Sequence, residues 1–204
     1  MAILISSTLC YLSLLTLSLA SDPNCEDLLK PLVLEDDYSS INGKWIFTEG
    51  IATHPLFTNI LKTVNSSWIE FGPSSFTDTL TLSQGNMLNG KCEFVTVNAT
   101  VKNSNVLVSE KGVSSLGTFL PSCPDCLTMN FTSQMKNETL NSIYLFMRKH
   151  RTSESDMDLY WKQAECLGFK KEPQYSYDGV TEFCDKDKHS SPEQQTKPEP
   201  KKEE

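Results

Sequence analysis

Residues 40–50, "SINGKWIFTEG", decide the fold assignment, because they open the first β-strand pattern of the chain. Gly43 and Trp45 stand two residues apart where an irregular N-terminal segment gives way to apolar–polar alternation. Glycine permits backbone conformations with which a chain turns into a strand, and a tryptophan is a large side chain that gains from burial. We predict that Trp45 holds the fold. Phe47, which has the same parity along the strand, should face the interior.

Alternation of apolar and polar residues with period two continues to residue 148. It predicts eight strands, near residues 43–53, 63–72, 75–84, 87–101, 105–111, 113–120, 126–135 and 140–148. Turn signals separate them, among them Gln84-Gly85-Asn86. Their regular spacing predicts an all-β fold, an eight-stranded antiparallel up-and-down barrel. An interior of that size either holds one small ligand or is filled by side chains.

One segment predicts a single C-terminal α-helix packed outside the barrel. Ser153 is its predicted N-cap and Gly168 its stop signal. Apolar residues at helical spacing form one stripe, which should be the packing face: Met157, Tyr160, Trp161, Ala164 and Leu167.

The two ends of the chain differ in composition from the middle. Residues 1–20 are rich in leucine and uncharged, which predicts a secretory signal peptide, with an uncleaved anchor as the alternative. Residues 21–184 form the predicted domain. Residues 185–204 contain no apolar side chain to bury and should form a disordered charged tail. The alternative is a tail that binds a partner. No other apolar run is long enough for a membrane span.

Charge and cysteine content indicate the compartment and the partners. The net charge of −8 argues against nucleic-acid partners and mildly favours cationic ligands. Six cysteines follow the signal peptide, which allows three disulfides in fifteen arrangements: Cys25, Cys92, Cys123, Cys126, Cys166 and Cys184. Four glycosylation sequons support secretion into plasma or another body fluid: Asn65, Asn98, Asn130 and Asn137.

Motifs typical of enzymes are missing from the sequence. It contains no Gly-x-Ser-x-Gly, phosphate-binding loop or His-Glu-x-x-His, so we predict a protein that is not an enzyme and needs neither cofactor nor metal. Cys123 and Cys126 form a Cys-x-x-Cys pair between two strands. A disulfide across the turn, a redox pair and pairing with other cysteines all stay open.

Gly43-Lys44-Trp45, the eight strands, Arg148 in "YLFMRKHR" and the late helix ending at Cys166 together resemble the lipocalin family. Within it, residues 25–45 and 160–188 resemble the orosomucoid (alpha-1-acid glycoprotein) family, and the similarity covers nearly the whole mature chain. Residues 119–132 also resemble apolipoprotein M. Fish plasma lipocalins that sequester toxins or organotin compounds have a similar orosomucoid-like sequence. The Thr-Asp-Tyr motif of many lipocalins is absent, as in the outlier subgroup.

This resemblance implies a structure. Its disulfide pattern pairs Cys25 with Cys166 and Cys92 with Cys184, which leaves Cys123 and Cys126 to pair with each other. It also implies that Arg148 stacks on Trp45 at the closed end of the barrel.

The resemblance also implies a function, the binding and transport or sequestration of a small hydrophobic or amphipathic ligand, including a cationic ligand or a toxin, by a monomeric secreted glycoprotein. The alternative is an acute-phase, immune-modulating glycoprotein that acts through its glycans and a cell-surface receptor. Interior parity gives the candidate ligand-binding residues: Phe47, Ile69, Phe71, Leu80, Leu82, Val97, Val108, Met129, Phe131, Tyr144 and Phe146. Glu49 and Glu110, expected near the mouth, either pair with a cationic ligand or are solvated surface charges.

Overall fold

Eight antiparallel strands form a closed barrel in the computed structural model, which describes residues 24–110, 112–149 and 153–186. The strands are β1 (Gly43–Ala52), β2 (Val64–Pro73), β3 (Thr79–Leu88), β4 (Lys91–Lys102), β5 (Asn105–Glu110), β6 (Val113–Leu120), β7 (Cys126–Met135) and β8 (Glu138–Met147). Each strand from β2 to β7 pairs with the next, and β1 closes the barrel by pairing with both β8 and β2. The predicted fold class is therefore confirmed.

Three helices and a short ninth strand accompany the barrel: α1 (Cys25–Leu28), α2 (Pro55–Leu61), α3 (Glu154–Cys166) and β9 (Tyr175–Ser176). The prediction of α3 is confirmed, since the Ser153 hydroxyl accepts a hydrogen bond from the Asp156 amide and Gly168 has a φ of 79°. It lies outside the barrel, where the Tyr160 hydroxyl donates to the carbonyl of Ile143. The two shorter helices α1 and α2, which precede it in the chain, were not predicted.

The closed end of the barrel is built around Trp45. Its side chain is 2% exposed, and its indole N–H donates to the carbonyl of Ile41 at 2.7 Å. The guanidinium carbon of Arg148 lies 3.6 Å from the centre of the indole. The same guanidinium donates to the carbonyls of Asn42 (2.6 Å) and Lys44 (3.1 Å). The predicted stacking is confirmed, and it links the strand that follows the N-terminal segment to the end of β8.

The hairpin between β3 and β4 lies later in the chain than predicted. The sequence predicts a turn at Gln84-Gly85-Asn86, but these residues pair with β4 inside β3. The turn is at Asn89 and Gly90, which both have positive φ. Gly85 belongs in the strand because the indole of Trp68 lies where its Cβ would be. The predicted turn at Gln84-Gly85-Asn86 is therefore wrong for a packing reason, since the glycine makes room for a neighbouring ring.

Three disulfides connect the barrel to the segments around it. Cys25–Cys166 joins α1 to the end of α3, and Cys92–Cys184 joins β4 to the C-terminal segment. In the chain-entropy model, closing loops of 141 and 92 residues stabilises the fold by roughly 4–5 kcal/mol each. Cys123 and Cys126 pair across the turn before β7, which settles the alternatives left open for this motif.

Several predictions fall outside what the structure describes. The signal peptide and residues 187–204 of the charged tail lie outside the described residues, and the domain limits 21–184 stay a prediction. Asn65, Asn98 and Asn137 are exposed and Asn130 is half-buried, and their glycosylation also stays a prediction. No helix in the described ranges has the length and apolar character needed to cross a membrane.

Replacing Trp45 by alanine should lower the free energy of unfolding by about 3–5 kcal/mol, as for other large buried aromatic side chains. The substitution removes the indole and leaves the Arg148 guanidinium without its stacking partner. Denaturant titration with the disulfides intact measures the change, and Trp161→Ala, at a half-buried site on α3, is the control with a smaller expected loss. A loss below about 1 kcal/mol for Trp45→Ala would contradict the proposed structural role.

Candidate ligand-binding site

The barrel interior contains a cavity with two adjoining parts that share lining residues. The inner part, about 240 Å³, is lined by Phe47, Ile60, Leu61, Val64, Ser67, Ile69, Phe71, Leu82, Gln84, Asn86, Leu88, Val106, Val108, Met129, Phe131, Tyr144 and Phe146. The outer part, about 440 Å³, is lined by Phe57, Ile60, Leu82, Gln84, Val95, Val108, Glu110, Val113, Ser115, Phe131, Ser133, Ser142 and Tyr144. Apolar and aromatic walls with a few polar groups are typical of small-molecule sites.

Aromatic side chains from three strands form one wall of the cavity. The ring of Phe47 lies 5.2 Å from those of Tyr144 and Phe146, and Phe131 lies 5.5 Å from Tyr144. Gly50 makes this arrangement possible, because a Cβ there would lie 2.5 Å from the tip of the Phe47 ring. Such edge and tilted contacts stabilise the cluster beyond simple burial. The wall is therefore preformed.

Polar groups occur among the apolar ones. The hydroxyls of Ser115 and Ser133 are 2.7 Å apart, and because one donates to the other, the pair keeps one proton to donate. Ser142 is fully buried, and its hydroxyl forms no hydrogen bond of normal geometry. Burial raises the pKa of Tyr144, an effect that the neighbouring Ser142 hydroxyl partly offsets, so Tyr144 is a neutral donor at physiological pH. Hydroxyl groups of the cavity wall are therefore available to donate hydrogen bonds to a ligand.

One charge lines the cavity. Glu110 contributes a carboxylate to the outer part, whereas no lysine, arginine or histidine occurs among the described residues that line either part. Like charges repel each other, so an anionic ligand is disfavoured beside the half-buried Glu110 carboxylate. The electrostatics therefore favour a cationic or neutral ligand over a carboxylate.

Helix α2 lies at the mouth of the barrel. Phe57, Ile60 and Leu61 of this helix line the cavity. The helix begins at Pro55, and the His54 ring caps it by accepting a hydrogen bond from the Leu56 amide at 3.2 Å. The other ring nitrogen of His54 lies 3.1 Å from the carboxylate of Glu138 at the start of β8. These contacts fix the helix to the rim.

The structure brings most of the predicted ligand-binding residues together. Those that line the inner part are Phe47, Ile69, Phe71, Leu82, Val108, Met129, Phe131, Tyr144 and Phe146. Glu110 lines the outer part. Leu80 and Val97 pack in the interior core without lining either part of the cavity. Ligand contact by any of these residues stays a prediction.

Glu49 does not lie at the mouth, so that expectation is wrong. A β-bulge in β1 places two residues, Thr48 and Glu49, opposite Leu145 of β8, and this reverses the parity after Phe47. Glu49 therefore points out of the barrel, where the Ser176 hydroxyl donates to its carboxylate at 2.7 Å. Its side chain is buried, and this burial raises its pKa, an effect that the Ser176 hydrogen bond partly offsets.

Sequence reasoning missed two kinds of lining residue. Ser133, Ser142 and Gln84 share the interior parity of the predicted apolar residues, and that parity alone would have found them. The residues of α2 carried a different signal, a proline directly after a capping side chain, which is typical of a helix start. The strand pattern alone assigns no secondary structure to this segment, which lies between two predicted strands.

The described residues contain one cluster of side chains of the types that bind metals, and it does not form a metal site. The ligand atoms of Cys123, Cys126 and Asp156 lie within 4.8 Å of one another. The two sulfurs are joined in a disulfide, so neither is a thiolate that binds a metal.

Comparison with known proteins confirms the predicted resemblance. The chain matches no protein-family model. It is 31% identical over 191 residues to saxitoxin and tetrodotoxin-binding protein 1 of Takifugu pardalis, a match that covers 85% of this chain and 47% of that protein. It is 23% identical to alpha-1-acid glycoprotein of Oryctolagus cuniculus, covering 87% of this chain and 89% of that one. The chain thus spans about half the length of the toxin-binding relatives.

Solved structures with the same fold are lipocalins. A dog lipocalin allergen superposes with a TM-score of 0.59 at 14% identity, covering 72% of this chain and 99% of that one. The siderocalin Q83 also gives a TM-score of 0.59, at 16% identity, and covers 72% of this chain and 94% of that one. At such low identity these structures establish the fold alone.

Replacing Glu49 by glutamine should stabilise the protein at neutral pH. Because burial raises the pKa of Glu49, the folded state binds a proton more tightly than the unfolded state, so this residue's contribution to stability falls as pH rises through the folded pKa. The glutamine carbonyl still accepts from Ser176 without a charge. Denaturant titrations from pH 4 to pH 8 should show a gain that shrinks on acidification.

The exposed Glu70 on the outer face of β2 is the matched control, and Glu70→Gln should show no such pH-dependent gain. A Glu49→Gln variant that is less stable than wild type at neutral pH, by an amount that vanishes at low pH, would show that the charged carboxylate is favoured in the fold.

Proposed function

We propose that this chain, a lipocalin by fold and orosomucoid-like by sequence, binds a small amphipathic ligand that is cationic or neutral and carries or sequesters it. The observation that supports the proposal is an aromatic cavity inside the barrel whose one charged lining group, within the described chain, is the carboxylate of Glu110. Affinity would come from burial of apolar surface against the aromatic wall. Binding, not catalysis, is the activity typical of proteins with this fold.

The two parts of the cavity suggest how a ligand is oriented. The inner part includes the apolar side chains of Phe71 and Met129, whereas Glu110 and the hydroxyls of Ser115, Ser133 and Ser142 belong to the outer part. An amphipathic cation would place its apolar portion inside and its charged or hydroxylated portion towards Glu110. Hydrogen bonds from Ser133 and Ser142 would then provide specificity.

The relatives suggest one form of this function. Two of them are named for binding saxitoxin and tetrodotoxin. We propose that sequestration of a toxin-like cation is within the range of this chain. Secretion into a body fluid, N-glycosylation and a monomeric state complete the proposal. The three disulfides support its secretion part alone, because such bonds persist in oxidising compartments.

A pair of fluorescent dyes of opposite charge tests the proposal. Thioflavin T is an aromatic cation, and 1-anilinonaphthalene-8-sulfonate is an aromatic anion. Titration of the secreted, glycosylated protein should give saturable one-to-one binding of the cation and weaker binding of the anion. Replacing Glu110 by glutamine should weaken cation binding by roughly fivefold, equivalent to about 1 kcal/mol for a partly exposed pair.

Glu70→Gln is again the control, because it removes the same charge from the outer surface and should leave both affinities unchanged. The proposal fails if neither dye binds saturably. It also fails if the anion binds more tightly than the cation and Glu110→Gln leaves the ratio of the two affinities unaltered.

A further inference from the structure

The C-terminal strap, residues 174–184, completes a part of the barrel wall that the eight strands leave open. Strand β1 pairs with β2 only from Gly43 to Ile46. Further along the same edge of β1, β9 takes over and pairs with Glu49 and Gly50. Since β8 occupies the other edge throughout this region, the strap fills the gap that opens where β1 and β2 separate.

Tyr175 of the strap reaches through this gap to the aromatic wall. It pairs with Gly50, which faces the interior, and its side chain therefore points inward. Its ring stacks on that of Phe47 at a centroid distance of 4.5 Å and an interplanar angle of 14°. Its hydroxyl also donates to the Phe47 carbonyl at 3.3 Å. Tyr175 does not line the cavity itself, so it lies on the side of Phe47 that faces away from a bound ligand.

The ring of Phe47 therefore depends on two neighbours, one that supports it and one that makes room for it. Tyr175 supports one face, and Gly50 leaves the space on the interior side in which the ring lies. Without Tyr175, the Phe47 side chain gains room to rotate away from the cavity through the gap between β1 and β2. A rotation of this kind changes the width of the inner part and removes one contact surface from a bound ligand.

We propose that Tyr175 is a positioning residue for ligand binding, and that the Cys92–Cys184 disulfide holds it in place. The strap is fixed to the barrel by hydrogen bonds from the Ser66 hydroxyl to the Glu182 carbonyl and from the Trp68 indole to the Cys184 carbonyl, beside that disulfide. The proposal rests on the proposed function, because it concerns the affinity of the same cavity. It assigns to a segment outside the barrel a part in setting that affinity.

Substitutions at Tyr175 test the proposal with thioflavin T as the probe. Tyr175→Leu removes the stacked ring and should weaken the affinity by roughly three- to tenfold, the range expected for loss of an aromatic pair. Tyr175→Phe keeps the ring and should bind within about twofold of wild type, since it loses a single hydrogen bond. Tyr160→Leu is the control: it removes a buried tyrosine on the outer side of the wall and should leave the affinity unchanged.

A double-mutant cycle separates positioning from general destabilisation. Replacing both Cys92 and Cys184 by serine should weaken the affinity by a factor similar to that of Tyr175→Leu. The combined variant should bind no more weakly than Tyr175→Leu alone, because both changes act through the same ring. Tyr175→Met also removes the stacked ring but fills the site with a flexible side chain, so it should weaken binding similarly and replaces Tyr175→Leu if that variant does not fold.

The outcomes distinguish this inference from the proposed function. If wild type does not bind thioflavin T, the proposed function fails and the inference fails with it. If wild type binds and Tyr175→Leu or Tyr175→Met binds equally well, only the positioning role of Tyr175 is overturned. Additive effects of the cysteine pair and Tyr175→Leu would overturn the link between the disulfide and Tyr175.

Discussion

Closure of the barrel at β1 is the constraint on which the rest of the structure depends. Only the first four residues of β1, from Gly43 to Ile46, pair with β2, so the contact that closes the barrel is short. It is reinforced where it occurs, by Trp45 beneath the guanidinium of Arg148 and by the two hydrogen bonds from Arg148 to the carbonyls that flank Gly43. Because closure is concentrated at one end, the other end opens into a cavity.

The short closure has two consequences for the site. Past Ile46, β1 is free to bulge at Thr48 and to accept β9 on the edge that β2 leaves, which brings Tyr175 against Phe47. The wall that continues from β1 through β8 to β6 pairs without a register shift from β8 to β6, and its interior positions include Ser115, Ser133 and Ser142. Burying hydroxyl groups costs free energy unless they are hydrogen-bonded. Ser115 and Ser133 bond to each other, whereas the Ser142 hydroxyl lacks a partner, which a bound ligand would supply.

Strand number, the outer helix and much of the cavity wall were predictable because they depend on periodicity. Parity identified Phe71, Met129 and Phe146 as interior residues, and local capping signals identified α3. Features that depend on three-dimensional packing were not predictable in this way. Gly85 has the sequence signal of a turn, yet it is in a strand because of Trp68, 17 residues earlier in the chain. The alternation of residue types also does not predict the bulge that turns Glu49 outward.

We propose that the cavity binds a small cationic or neutral amphipathic molecule. Native mass spectrometry of the protein purified from its natural source is the sharpest single test, because it identifies a ligand that was not chosen by the experimenter. We expect one small molecule per chain, positively charged or neutral, that is released when the protein is denatured. A carboxylate ligand, such as a fatty acid, bound at the same stoichiometry would overturn the proposal.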